Sequence, residues 1–144
     1  MADVFISYKS KSTLELVENV ICPAIEAARF RCWYAGRDAK PGPYPGQINR
    51  AIRECRVFLL ILDQAALHSA HIKSETALAF RRLNDHEAII LMPFKIDNCN
   101  IRDDDDLDYY LISQQMINGC PPDERHIENL IQIISEALSD TRPN

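Results

Sequence analysis

A chain of 144 residues is the size of one domain and can bury roughly two-thirds of the surface its unfolded form exposes, so its core needs no disulfide or metal staple. Apolar residues make up 47% and charged residues 26%, as in ordinary globular proteins, and the net charge of −5 argues against the basic face of a nucleic-acid binder. Cys22, Cys32, Cys55, Cys99 and Cys120 are odd in number, scattered and without a C-x-x-C pair, a usage that suits a reducing compartment better than a disulfide framework or a zinc site. His68 and His71 have no second ligand pair, so no metal is expected. The start lacks the pattern of a signal peptide, and the longest apolar run, VFLLIL, is far too short to cross a bilayer. A cytoplasmic chain with no membrane segment of its own is expected, with tethering through a partner left open.

In chain order, VFISY at 4–8 predicts a buried strand. After the polar loop KSKS, Ser12 and Glu15 form a capping-box pattern that opens a helical stripe of Leu14, Val17, Val20, Ile21, Ala24, Ile25 and Ala28. Pro23 falls inside that stripe; an interior proline costs about 3 kcal/mol unless the helix kinks or restarts, which predicts a break around 19–22. FRCWYA at 30–35 predicts a second strand. GRDAKPGPYPGQ at 36–47 holds three prolines and three glycines and predicts a long, partly stiff loop, of a length that in a compact domain usually serves a function. Ile48, Ala51, Ile52 and Cys55 mark a short helix with Arg50, Arg53 and Arg56 on its polar side.

VFLLIL at 57–62 has no polar alternation, as a parallel strand covered on both faces requires. Ile72, Thr76, Ala79, Phe80 and Leu83 recur at helical spacing, with Ser69 as N-cap and Asn84 as a left-handed stop. AIILMPF at 88–94 predicts a strand with Pro93 confined to its end. The acidic run at 102–108, with Asp103 to Asp106 at its centre, reads as a solvated loop that lacks calcium-ligand spacing. Met116 and Ile117 suggest a short edge strand, and 123–138 a last helix with core positions Ile127, Leu130, Ile131, Ile134 and Leu138. The tail SDTRPN reads as frayed or as the start of a linker. Strand and helix alternate about five times, which predicts an α/β fold: a flavodoxin-like open parallel sheet of about five strands with helices on both faces, in one domain over 1–144. No glycine-rich phosphate loop opens any helix.

Glu75 follows the central strand by a short connection, which places it in the first turns of a helix at the carboxyl end of a parallel strand, the edge where open α/β sheets bind ligands.

Four stretches in this order and spacing, VFISYKSKS, CWYAGRD with PGPYPGQI, AIRECRVFLLIL, and the S-x5-E from Ser69 to Glu75, resemble the TIR (Toll/interleukin-1 receptor) domain family. The match runs from about residue 3 to 94, and CWYA-x-RD with PG-x-Y looks like the bacterial TIR domains of anti-phage defence. The sequence departs from those relatives at Ser12, where they commonly carry an acid, and at Gly36, where they carry a proline.

The resemblance implies an NAD+ nucleosidase, or ADP-ribosyl cyclase-like hydrolase, with Glu75 catalytic and NAD+ as substrate rather than cofactor. Ser7, Tyr8, Lys9, Ser10, Trp33, Arg37 and Asp38 are the implied substrate-binding residues. The 36–47 loop, with Pro41, Gly42 and Tyr44, is the implied self-association surface, through which copies in a homo-oligomer or filament complete the active site. A sensor of a nucleotide second messenger, attached downstream or separate, is the implied activator. Two further readings stand beside this one: a non-catalytic TIR scaffold acting by homotypic binding, and a nucleoside deoxyribosyltransferase with a nucleophilic glutamate. The sequence does not choose between linear and cyclic products.

Overall fold

The computed structural model describes residues 2–141, apart from the side chains at 44, 45, 140 and 141. Five parallel strands, β1 (Val4–Ser7), β2 (Cys32–Trp33), β3 (Val57–Leu62), β4 (Ile90–Lys95) and β5 (Ile117–Asn118), lie in the order β2-β1-β3-β4-β5. The helices are α1 (Lys11–Leu16), α2 (Cys22–Ala27), α3 (Ala35–Asp38), α4 (Tyr44–Glu54), α5 (Gln64–Leu67), α6 (Ala70–Asn84), α7 (Asp105–Leu111) and α8 (Glu124–Thr141). The predicted doubly wound α/β architecture is therefore the observed one.

Alternate side chains of each strand enter opposite cores. Val4, Ile6, Val57, Leu59, Ile61, Met92 and Phe94 pack with Val17, Ile21 and Ile25 and with Ile127, Leu130, Ile134 and Leu138 of α8. Phe5, Phe58, Leu60, Leu62 and Leu91 pack on the other face with Ile52 of α4, Leu67 of α5, Ile72 and Ala79 of α6, and Leu107 and Leu111 of α7. β3 is buried along its whole length, as its unbroken apolar run requires.

Several boundaries differ from the sequence reading, each for a local reason. β2 keeps only two residues because the Tyr34 amide is taken by Asp38 Oδ2 at 3.1 Å instead of by the sheet. The proline-rich segment is mostly ordered: α3 occupies its start, and α4 begins at Tyr44 with a proline in its first turn, where a missing N–H costs nothing. Only 39–43 is irregular. Ser10, not Ser12, caps α1, accepting from the Thr13 amide. The interruption at Pro23 takes the form of a π turn, Val17–Ile21, after which Pro23 stands in the first turn of α2.

Asn84 is the last helical residue of α6, and the left-handed residue is His86, φ 60°. Pro93 lies inside β4, one residue before β5 begins to pair with it at Phe94, so the outer side of β4 is still an edge there. The acidic run is a 3₁₀ turn, Ile101–Asp103, followed by α7, and Asp104 is buried. Against the expectation from cysteine usage, Cys22 and Cys32 are bonded as a disulfide, because the end of the π turn faces β2. Among the described residues, no helix is long and apolar enough to cross a membrane. The end of the predicted tail, 142–144, lies outside the described residues.

Candidate active site

Strand order reverses between β1 and β3, so the chain leaves these neighbours toward opposite sides, and the carboxyl ends at such a switch point are where open α/β sheets form a ligand crevice. Ser7 is the last residue of β1 and is in register with Leu60 of β3. Ser69 caps α6 by accepting from the Ile72 amide at 3.3 Å, and Ile72, Thr76 and Ala79 bury one stripe of the helix. That docking sets Glu75 at the margin of the stripe, over the crevice.

Ser7 Oγ donates to Glu75 Oε1 at 2.9 Å, and among the described residues it is the one hydrogen-bond partner of that carboxyl. Burial pushes the Glu75 carboxyl from its usual 4.5 up to about 7, a rise that the Ser7 hydrogen bond only partly opposes. A carboxyl of this kind is close to half-ionised at neutral pH. It is available to place a negative charge, or take a proton, where solvent screening is weak.

The loop after β1 is tied down residue by residue. The Tyr8 hydroxyl accepts from the Gly36 amide at 3.0 Å, and its ring meets Tyr34 edge-on at 6.4 Å. Burial raises the Tyr8 hydroxyl above its usual value, and Tyr34 and Glu75 add to the rise. Ser10 caps α1 and also donates to Asp63 Oδ2 at 3.3 Å. Lys9, between them, is exposed and makes no ion pair with a described residue.

The remaining residues implied by the resemblance are engaged elsewhere. Trp33 stacks on Phe5 at 5.2 Å, within the core on the β2 side. Arg37 donates from Nε and an η nitrogen to both oxygens of Asp38, and also to Glu26 and to the Cys32 carbonyl, with its guanidinium 4.9 Å from the centre of the Tyr34 ring. The hydrogen bond to Asp38 does most to hold Arg37 above its usual pKa. Ser7 and Glu75 are thus brought together directly, Tyr8 and Ser10 frame them, and Trp33, Arg37 and Asp38 stabilise the turn into the following loop.

In that loop Pro41 and Gly42 are exposed, and Gly42 has φ 132°, a conformation that disfavours any other residue. The Tyr44 side chain lies outside the described part of the structure. Gln47 closes the loop, its amide oxygen accepting from the Lys40 amide at 2.7 Å and its Nε2 donating to the Lys40 carbonyl at 2.8 Å.

The sequence reading passed over Asp63, Thr13 and Gln47. Asp63 was detectable: an aspartate directly after an apolar strand and three residues before Ala66 carries an N-cap signature, and it accepts from the Ala66 amide at 2.8 Å. Among the described residues, one group of metal-ligating types comes together, Cys22, Glu26 and Cys32. Its two sulfurs are bonded to each other, and Arg37 donates into it.

The profile described as a TIR domain matches residues 4–131. No curated protein sequence matches the chain. Among solved structures, the TIR domain of the Toll-related receptor TRR-2 from the lower metazoan Hydra magnipapillata is similar at 20% identity and a TM-score of 0.71, covering 94% of this chain and 99% of that one. A metazoan TIR-STING receptor from C. gigas, in complex with 2',3'-cGAMP, is similar at 25% identity and a TM-score of 0.73; the match covers 94% of this chain but only 40% of the receptor. The TIR domains of the activated Roq1 resistosome share the fold at 13% identity and a TM-score of 0.61, covering 96% of this chain and 84% of that one. With its five-stranded parallel sheet and a profile match that spans most of its length, the chain belongs to the TIR domain family.

Proposed function

We propose that the chain is an NAD+ glycohydrolase, with Glu75 as its catalytic residue. The observation that carries this reading is Glu75 itself: a carboxyl at the strand-order switch point, hydrogen-bonded by a single hydroxyl and held near neutrality. In NAD+ the bond between ribose C1′ and the pyridinium nitrogen breaks with both electrons going to nitrogen, so nicotinamide departs neutral and needs no acid. The burden is the positive charge left on the ribosyl centre, as in other glycosyl transfers. An ionised Glu75 in a poorly screened crevice opposes that charge and holds the ribose hydroxyls. Water then adds to C1′ and loses a proton, giving ADP-ribose. Attack by a nucleophile of the same molecule gives a cyclic isomer.

The proposed setting is an effector or signal generator of bacterial anti-phage immunity, switched on when copies associate through the 36–47 segment, with Pro41, Gly42 and Tyr44. The ring that Gln47 closes with Lys40 supports this, since a loop held in one shape loses little entropy on contact. A nucleotide second-messenger sensor as activator is supported by the TIR-STING receptor, which holds a cyclic dinucleotide.

The deciding experiment is chromatography of NAD+ incubated with concentrated wild-type protein and with Glu75→Gln. Nicotinamide from the wild type alone supports the enzyme, and the second product separates hydrolysis from cyclisation. Equal release by both proteins moves the site off Glu75. No release by either, even with a crowding agent, favours the scaffold. For assembly, Gly42→Ala is expected to lower turnover while the monomer stays folded; unchanged turnover at every protein concentration removes the loop from the mechanism.

A further inference from the structure

Asp63 occupies a singular place in the fold. In the β1–β3 register Ser7 pairs with Leu60, so β3 runs two residues beyond the end of β1, and Asp63 follows directly. It therefore overhangs the loop that follows β1 rather than the strand. Its carboxylate is buried and accepts from three donors. Oδ1 accepts from the Ala66 amide at 2.8 Å, and Oδ2 accepts from Thr13 Oγ1 at 2.7 Å and Ser10 Oγ at 3.3 Å. Thr13 is itself buried in α1, so this contact ties the first turn of α1 to the end of β3 in the interior.

The loop of Ser7, Tyr8, Lys9 and Ser10 is consequently pinned at three of its four residues, each to a different element. Ser7 is held by α6 through Glu75, Tyr8 by α3 through Gly36, and Ser10 by the end of β3 through Asp63. The unpinned residue, Lys9, is the exposed cation at the apex. A lysine on a free loop would surrender conformational entropy to meet an anion; one on a loop fixed at both flanks surrenders little beyond its own side chain.

We propose that Asp63 is a positioning residue for substrate: by clamping Ser10 and Thr13 it aims Lys9 across the crevice, where it meets the diphosphate of the dinucleotide whose ribose lies at Glu75. This rests on the reading of the preceding section. It adds a division of labour, with Ser7 and Glu75 serving the bond that breaks and Asp63, through Lys9, serving affinity for the diphosphate.

The test uses ADP-ribose, which carries the diphosphate and requires no turnover, with calorimetric titration of the whole protein. Asp63→Asn keeps a carbonyl for the Ala66 amide but cannot accept from both hydroxyls; it should weaken ADP-ribose binding about tenfold, the worth of one hydrogen bond to a charged group. Thr13→Val, which deletes a single hydroxyl, should weaken it in the same direction and keeps the test alive if Asp63→Asn folds poorly. Lys9→Gln should cost about the same factor, and combining Lys9→Gln with Asp63→Asn should cost no more than either alone; a purely structural aspartate would give additive losses instead. With NAD+, Asp63→Asn should raise KM by that factor and change kcat less than about twofold. Unaltered ADP-ribose affinity in folded Asp63→Asn and Thr13→Val, additive losses with Lys9→Gln, or a wild type that does not bind ADP-ribose would each overturn the proposal. A wild type that binds ADP-ribose with the expected pattern yet releases no nicotinamide would sink the glycohydrolase reading and leave the clamp standing.

Discussion

Helix α6 carries one half-buried carboxyl, Glu75, and faces a buried one, Asp104, and the fold treats them oppositely. Asp104, at the start of α7, accepts from the amides of Asp106 and Leu107 and faces Lys73 of α6 at 2.5 Å. Burial alone would raise its pKa, but the Lys73 ammonium and those amides outweigh it and hold the carboxyl below its usual value. Glu75, two residues along the same helix, receives one hydroxyl and no cation among the described residues, and burial pushes it up to about 7. The acid that fastens two helices is supplied by two amides and a cation. On the function proposed above, Glu75 is left under-supplied because it acts on substrate, at a cost in stability.

The sharpest way to break this contrast is Glu75→Gln. Nicotinamide release should fall by at least about 10²-fold, the scale of losing one preorganised electrostatic group. Stability should move the other way. A carboxyl whose folded pKa lies above its unfolded value binds an extra proton only when folded, so its contribution is favourable at low pH and is lost as pH rises from about 4.5 to about 7. Above that window the penalty is at most about 3 kcal/mol, and the glutamine variant should melt higher than wild type at pH 8 and no higher at pH 4. A lower melting point at both pH values would mean that Glu75 is a structural residue like Asp104.

Asp104→Ala is the mirror test. It removes a helix cap worth about 1–2 kcal/mol and leaves Lys73 without its partner, so urea unfolding should show a loss of that order with turnover per folded molecule unchanged. A fall in turnover at full stability would erase the distinction between the two acids. Smaller again is Ser7→Ala. Without its one hydrogen bond the Glu75 charge is harder to carry, and the rising limb of kcat/KM against pH, expected near 7, should move upward by about half to one pH unit. A downward shift would show that Ser7 raises the carboxyl rather than steadying it. The smallest effect is on acid stability. Burial opposes ionisation of Asp97, yet the amides of Gln64 and Cys99 prevail, so Asp97, like Asp104, sits below the usual 3.8. Stability from both is present above that value and disappears as pH falls below it, so Asp97→Asn should flatten the acid limb of the melting curve slightly; an unchanged limb would assign acid unfolding to other groups.

How much of this was legible in the sequence follows from the range of the interactions. The parallel order of strands could be read because VFLLIL and its neighbours are continuous apolar runs, and Glu75 could be placed because helical spacing and Ser69 are local signals. Ser10, not Ser12, caps α1, and it is also held by Asp63, fifty-three residues away, a contact that local spacing does not disclose. The acidic run looked solvated because its composition gives no hint that Lys73 will stand opposite Asp104. The proline-rich stretch read as loop throughout, since propensity does not reveal that a proline will fall where a helix start tolerates it. Cys22 and Cys32 meet through tertiary packing that cysteine spacing alone does not disclose.

The bond from the Gly36 amide to the Tyr8 hydroxyl carries one more implication. A Cβ added at Gly36 would stand 2.8 Å from both that hydroxyl and Leu14 Cδ1, so a larger residue has to displace the ends of those two side chains, and a proline there would have no N–H to give to the joint between the two loops. If one loop touches substrate and the other a neighbouring copy, that joint makes them thermodynamically reciprocal. Whatever factor association adds to the affinity for substrate, substrate must add to association. Substrate would then act as a building material of the assembly as well as its fuel, and its exhaustion would loosen the very contacts that consumed it.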